Sequence, residues 1–168
     1  AGRYCHQKNF EALISIWAEL APSYPDWTLK IYGDGEDRAK LEALVSGLNL
    51  SDSVSLMKPT SDMRSVYKES SIYAMTSRYE GLPMVLIEAQ TMGLPIVSYA
   101  CKCGPRDIIS SGEIGFLLEE GDAVGFVHAL KRLMDDTDLR EHMGANSRQH
   151  SALYDLPLLM QKWESLFS

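Results

Sequence analysis

Short β-branched or apolar runs alternate along the chain with longer segments of helical periodicity, the sequence pattern of a parallel α/β sheet. The runs predict strands at Thr28–Tyr32, Val54–Met57, Ile72–Met75, Pro95–Ser98 and Gly115–Leu118. Between them, Phe10, Leu13, Ile14 and Trp17 recur at helical spacing, as do Leu41, Leu44, Val45 and Leu48, then Ala123, Phe126, Val127, Leu130 and Met134. Each set makes one apolar stripe that can lie on a sheet. Thr137–Ser151 and Leu156–Phe167 also read as helices with no strand between them, which predicts a terminal helical pair closing the domain.

Composition narrows the class. The chain has 168 residues, 45% hydrophobic and 23% charged, the size and balance of one globular domain rather than of a disordered tail or a coiled coil. Sixteen Lys and Arg against 23 Asp and Glu leave a formal charge of −7. A sequence-blind grip on nucleic acid needs a basic surface, so nucleic acid is not an expected partner, and any phosphate-binding charge must be local. No run approaches the roughly 18 apolar residues of a membrane span, and no signal-peptide pattern opens the chain, so the expected location is the cytoplasm. Three cysteines argue for free thiols in a reducing compartment. A zinc site from Cys5, His6, Cys101 and Cys103 is the alternative, although neither pair has the usual two-to-four-residue spacer.

Ala1-Gly2-Arg3 has the look of a strand's exit rather than of a natural beginning, and no initiator Met precedes it. The expectation is that residues 1–168 are one domain cut from a longer protein, whose preceding half includes the strand leading into Gly2.

Ligands of an open parallel sheet bind beyond the carboxyl ends of the strands, which directs attention to the loops Gly2–Asn9, Gly33–Asp37, Lys58–Asp62, Ser77–Pro83 and Tyr99–Arg106. Gly33-Asp34-Gly35-Glu36-Asp37-Arg38 begins like a dinucleotide fingerprint, but Arg38 stands where a third glycine must let helix and strand approach. It reads either as a tight turn into a helix over Glu36–Leu48 or as the edge of a nucleotide pocket. In Ser77-Arg78-Tyr79-Glu80-Gly81-Leu82-Pro83, Gly81 permits a sharp bend and Pro83 suits a helix's first turn. The helix that follows, Met84 to Met92, is apolar nearly all round and is expected to be buried. Glu88 within it then needs a donor, either ligand hydroxyls or a basic side chain of the scaffold.

Glu80 stands eight residues before Glu88, so the two carboxylates can reach different parts of one ligand lying across the helix start. Free amides there face phosphate, with a dipole contribution of about 0.3–1 kcal/mol, or ~2 when partly buried. Arg3 and Lys8 bracket another strand exit in this acidic chain, and two such cations would neutralise a diphosphate without a metal. A polyol carrying a diphosphate fits these features. Asp136-Thr137-Asp138 spells a metal-binding Asp-x-Asp, but between two late helices it reads as a helix cap.

With these residues assembled, the sequence resembles the C-terminal, donor-binding domain of retaining glycosyltransferases of the GT-B class, family 4 or group 1, built from two facing Rossmann-like domains. The resemblance covers essentially the whole chain. It rests on Gly2-Arg3 through Gln7-Lys8-Asn9-Phe10, on Ile31-Tyr32-Gly33-Asp34-Gly35, on Ser77 to Pro83 running into Val85-Leu86-Ile87-Glu88-Ala89, on Gly93-Leu94-Pro95-Ile96-Val97, on Gly115-Phe116-Leu117-Leu118 and on Gly121-Asp122. Asn9 departs from the commoner glycine after the lysine, and Lys58 from a position that is often glycine.

The resemblance implies a three-layer α/β/α Rossmann-like domain with a parallel sheet. It further implies that Arg3 and Lys8 hold the donor diphosphate, that Glu80 binds hydroxyls of the transferred sugar and Glu88 those of the ribose. Backbone of Gly81, Leu82, Pro83, Met84 and Val85 would support sugar and phosphate, while Lys58, Pro59 and Thr60 edge the base. Arg3, Lys8 and Glu80 are the implied catalytic residues. Gly104-Pro105-Arg106-Asp107-Ile108-Ile109 resembles a loop of a family subset, where Arg106 would face the cleft, cap a short helix or pair with a surface acid, and it stays outside this set. The implied reaction is metal-independent transfer of a hexose-type sugar, with retention, from a nucleoside diphosphate to an acceptor hydroxyl in polysaccharide, lipopolysaccharide or glycolipid synthesis. The implied donor is a UDP-sugar ahead of a GDP-sugar, with no cofactor. The acceptor would be held by an absent N-terminal domain, as would any peripheral membrane contact, so this domain alone would bind donor weakly and transfer nothing. A nucleotide-sugar epimerase of the same architecture and a noncatalytic nucleotide-binding module are the alternatives.

Overall fold

The computed structural model describes residues 1–165. In chain order the elements are α1 (Phe10–Leu20), β1 (Leu29–Tyr32), α2 (Arg38–Gly47), β2 (Val54–Met57), α3 (Met63–Lys68), β3 (Tyr73–Met75), α4 (Met84–Thr91), β4 (Ile96–Tyr99), α5 (Pro105–Ile108), β5 (Gly115–Leu118), α6 (Ala123–Asp135), α7 (Thr137–Ser151) and α8 (Leu156–Ser165). All five expected strands form, each within a residue of its expected limits. The terminal helical pair also forms, although Phe167, the expected end of α8, lies outside the described residues.

Every strand pairing is parallel. Leu29 stands opposite Val54, Tyr73 opposite Ile96, and Ile96 opposite Gly115. Side chains of a strand alternate between faces, and the alternation sorts them into two cores. Ile31, Val97 and Tyr99 pack with α1, α2 and α6 on one face, where Leu13, Leu41 and Phe126 are buried. Tyr73, Met75 and Ile96 pack with α3, α4 and α5 on the other, against Tyr67, Leu86 and Ile108. The result is the expected three-layer α/β/α arrangement. Full burial of side chains such as Ile14, Leu86, Ile96 and Phe126 contributes about 1.5–3 kcal/mol each.

The strands do not form the single sheet that the pattern predicts. Two sheets stand side by side, β1-β2 and β3-β4-β5, and a cavity of about 370 Å³ lies where the edges of β1 and β3 face each other.

Helix α7 clamps the second core from outside. Ser147 Oγ donates to the Ile114 carbonyl at 2.9 Å, and a side chain at Gly144 would collide with the Gly93 carbonyl. At its start, Asp136 accepts from the Leu139 amide at 2.8 Å, so the Asp-x-Asp tripeptide acts as the N-cap expected of it. No helix among the described residues is long and apolar enough to cross a membrane.

Candidate functional site

The loop of residues 2–9 has little regular structure and is held by side chains that anchor it to several strand ends. Tyr4 is fully buried, and its hydroxyl donates to the carbonyls of Ile31, at 2.6 Å, and Met57, at 2.9 Å. Burial raises its phenol to about 12. Arg38 lies over the Tyr4 ring, 5.8 Å from its centre, and donates to the Leu56 carbonyl at 3.2 Å. A side chain at Gly33 would strike the Gly2 carbonyl, and one at Gly35 the Tyr4 carbonyl. These two glycines therefore admit the first loop. Residues 33–37 make the turn into α2, which starts at Arg38 rather than Glu36.

Residues 2–9 are also stitched to the loop of residues 77–83. The Arg78 amide donates to the Gln7 carbonyl at 2.8 Å, Gln7 Nε2 to the Tyr79 carbonyl at 2.9 Å, and Thr76 Oγ1 to the Asn9 carbonyl at 3.0 Å. Asn9 has φ 52° and ψ 42°, a left-handed conformation that asparagine tolerates better than most residues other than glycine. Its side chain accepts from Arg78 at 3.0 Å. The departure from glycine at this position is thus accommodated, and it adds a contact. On the far side, Gly104, at φ 87°, lies so close to the Gly81 carbonyl and Pro83 that a side chain there would collide with both.

The stitching brings Lys8 and Glu80 together. Lys8 Nζ lies 2.6 Å from Glu80 Oε1, and the two side chains are only 18% and 8% exposed. Helix α4 begins next to Glu80, with Pro83 at its N-cap and no side chain capping it. Its first amides therefore point outward without a side-chain acceptor.

Glu88 departs from expectation. Leu86, Ile87, Ala89 and Gln90 are buried, whereas Met84, one turn before Glu88, is 54% exposed, and Glu88 is exposed with it. An apolar composition concealed a solvent-facing stripe, so the carboxylate bears no burial cost. Among the scaffold groups its donor is not a basic side chain but the hydroxyl of Tyr67, at 2.8 Å. Burial first, then Tyr73 and Glu88, raises the Tyr67 phenol far above its ordinary range. Tyr73 is raised by burial and by the charges of Glu88 and Glu80. These groups share one rim at the carboxyl ends of β1 and β3.

Arg3 pairs with Glu36 at 3.1 Å as an exposed ion pair, where the chain turns between Gly2, whose amide donates to the Tyr32 carbonyl, and Tyr4, whose amide donates to the Asp34 carbonyl. Lys58, Pro59 and Thr60 form an exposed segment between β2 and α3, with Thr60 Oγ1 accepting from the Asp62 amide. Arg106 pairs with Glu119 at 2.8 Å. Cys101 is buried and Cys103 exposed, and no group of His, Cys, Asp and Glu suited to a metal ion occurs among the described residues, so the zinc grouping is not assembled.

Sequence reasoning missed Tyr4, Tyr67 and Tyr73. Tyr4 left a faint signal as an aromatic residue inside a polar loop. The six-residue helix carrying Tyr67 is too short to show a stripe.

The model of the family described as "Glycosyl transferases group 1" matches residues 1–150. An uncharacterized glycosyltransferase of Haemophilus influenzae is 37% identical over 98% of this chain and 47% of its own length. The amylovoran biosynthesis glycosyltransferase AmsD of Erwinia amylovora is 36% identical over 99% of the chain and 46% of its own length. The chain thus spans about half the length of these relatives. Among solved structures, TarM of S. aureus, crystallised with fondaparinux, alpha-GlcNAc-glycerol and UDP, superposes with a TM-score of 0.92 over 99% of the chain and 35% of its own, at 24% identity.

Proposed function

Because the chain belongs to the glycosyl transferases group 1 family, we propose that it is the donor-binding half of a retaining glycosyltransferase and holds a nucleoside diphosphate sugar at the rim shared by Lys8, Glu80 and Glu88. The observation that carries the reading is the Lys8–Glu80 pair beside the uncapped start of α4. Cation, carboxylate and free amides within one small region suit a diphosphate joined to a polyol.

In this reading Lys8 and the amides of Met84 and Val85 take the diphosphate, and Arg3 leaves Glu36 to join them. Glu80 receives sugar hydroxyls. Glu88, oriented by Tyr67, receives those of the ribose, and Lys58 to Thr60 edge the base. Negative charge grows on the departing diphosphate as the glycosidic bond stretches, and the cations and amides stabilise it electrostatically. Two cations and a helix start can carry that charge with no divalent ion. Glu80, already committed to Lys8, is a binding group rather than the nucleophile. UDP is the favoured base carrier, in keeping with the UDP in the TarM crystals. An exopolysaccharide or lipopolysaccharide product agrees with the amylovoran enzyme among the relatives, and the acceptor site belongs to a preceding domain.

Isothermal titration of the chain with UDP, UDP-glucose, UDP-N-acetylglucosamine and the GDP equivalents, with EDTA or with magnesium, tests the proposal. The expected result is weak, magnesium-independent binding of one UDP-sugar, tighter than UDP alone, with the advantage of the sugar lost in Glu80→Gln. Absence of binding by any nucleotide, or binding unaffected by Lys8→Met, refutes it.

A further inference from the structure

We propose that Tyr67 is the positioning residue of the nucleoside end of the site: by holding Glu88 it selects a ribose, with its two adjacent hydroxyls, over a 2′-deoxyribose. The inference rests on the donor reading above and narrows it from a nucleoside diphosphate to a ribonucleoside diphosphate.

Tyr67 is 4% exposed. Its ring packs in the core of Leu86, Ile87 and Ile108 and lies 5.9 Å from the ring of Tyr73, tilted by 58°. Packing at interior density fixes the ring, so its hydroxyl stands at a defined point. The hydroxyl has one proton and gives it to Glu88 Oε2 at 2.8 Å. Burial, Tyr73 and Glu88 hold the phenol far above its ordinary value, so it remains a donor throughout the neutral range.

This bond satisfies a buried hydroxyl, which is a structural end in itself. Its effect on the other partner is the functional one. Glu88 is exposed, and an exposed glutamate samples several rotamers, so a ligand that fixes it bears the entropy. Tyr67 removes that freedom beforehand. With Oε2 committed to Tyr67, Oε1 keeps two lone pairs. Two lone pairs on one fixed oxygen match the adjacent hydroxyls of a ribose, whereas a 2′-deoxyribose offers only one donor there.

The placement of α3 agrees with this role. Asp62 accepts from the Ser65 amide at 3.1 Å, and the Asp62 amide donates to Thr60 Oγ1 at 3.1 Å, so the start of α3 is tied to residues 58–60. One short helix therefore carries both the segment proposed to edge the base and the hydroxyl that aims the ribose carboxylate. The Tyr67–Glu88 bond then links α3 to α4, whose start has no side-chain cap. Base edge, ribose carboxylate and phosphate-facing amides follow one another along this connection in the order in which a nucleoside diphosphate presents its parts.

NMR titration of the chain with UDP and 2′-deoxy-UDP, and with GDP and 2′-deoxy-GDP, tests the proposal. In the unaltered chain the ribose form binds on the order of 10–100-fold more tightly, the worth of one hydroxyl donating to a carboxylate. Tyr67→Phe keeps the ring and removes the proton. It lowers this ratio about 5-fold by weakening the ribose form, while the deoxy form stays within about 2-fold, because a single hydroxyl gains little from ordering an exposed carboxylate. In a Glu88→Ala background, Tyr67→Phe leaves the ratio unchanged, since Tyr67 acts through Glu88. A purely structural Tyr67 gives a different pattern: loosening α3 weakens both nucleotides equally, and equal losses overturn the proposal. A ratio near 1 in the unaltered chain, with binding still sensitive to Lys8→Met, overturns it and leaves the donor reading standing. Binding of no nucleotide overturns both. If Tyr67→Phe does not fold, Glu88→Asp, at an exposed position, withdraws the carboxylate from the hydroxyl by one methylene. A lowered ratio with the deoxy affinity held then supports the proposal, and an unchanged ratio overturns it.

Discussion

Removing one member of the Lys8–Glu80 pair leaves the other charge half enclosed, and the resulting loss of stability can be anticipated. At 2.6 Å and an effective dielectric of about 20, the gross attraction is about 6 kcal/mol. Desolvation of both groups offsets much of it. The ammonium, at 18% exposure, keeps some water, whereas the carboxylate, at 8%, keeps little. Lys8→Met therefore destabilises the chain by about 3 kcal/mol, because Glu80 is left nearly dry and unpaired. Glu80→Gln costs about half as much, since the amide oxygen still accepts from Lys8. The double variant loses less than the sum, giving a coupling of about 2–3 kcal/mol in a double-mutant cycle. Urea denaturation at neutral pH measures all four proteins. A coupling below about 0.5 kcal/mol, the limit for independent sites, would mean that the pair is not a buried ion pair and would refute the argument.

One further outcome follows from the same geometry. Gly104→Ala places a methyl group against the Gly81 carbonyl and Pro83 at φ 87°; it should cost about 1–3 kcal/mol, read as a fall in melting temperature, with no change if the loop contact is absent.

The strands were legible because β-branched and apolar runs mark buried parallel strands, and the faces of α1 and α6 because their stripes are long. The loop positions followed from topology alone. Glu88 was misjudged as buried because α4 has apolar residues on both its core side and its open side: Met84 is exposed although its side chain is apolar. Spacing along the chain cannot separate those faces when composition does not. The partners of Arg3 and Glu88 were equally hidden. Glu36 lies 33 residues from Arg3, and Tyr67 lies 21 from Glu88 on a different helix, so only the folded sheet brings them together.

The stitching of the two loops also bears on how a ligand would be held. A side chain fixed before binding loses no rotamer freedom when the ligand arrives, a saving of about 0.5–1.5 kcal/mol for a long side chain. Lys8 is fixed by Glu80, and Glu88 by Tyr67. The loops beneath them are locked by Tyr4, Gln7 and Asn9. Arg3 is the exception, since its partner Glu36 is exposed, and an exposed ion pair is worth roughly 0–1 kcal/mol. In the proposed complex, the diphosphate therefore draws one mobile cation onto a rim that is otherwise already in place, and the ordering cost of binding falls mainly on Arg3.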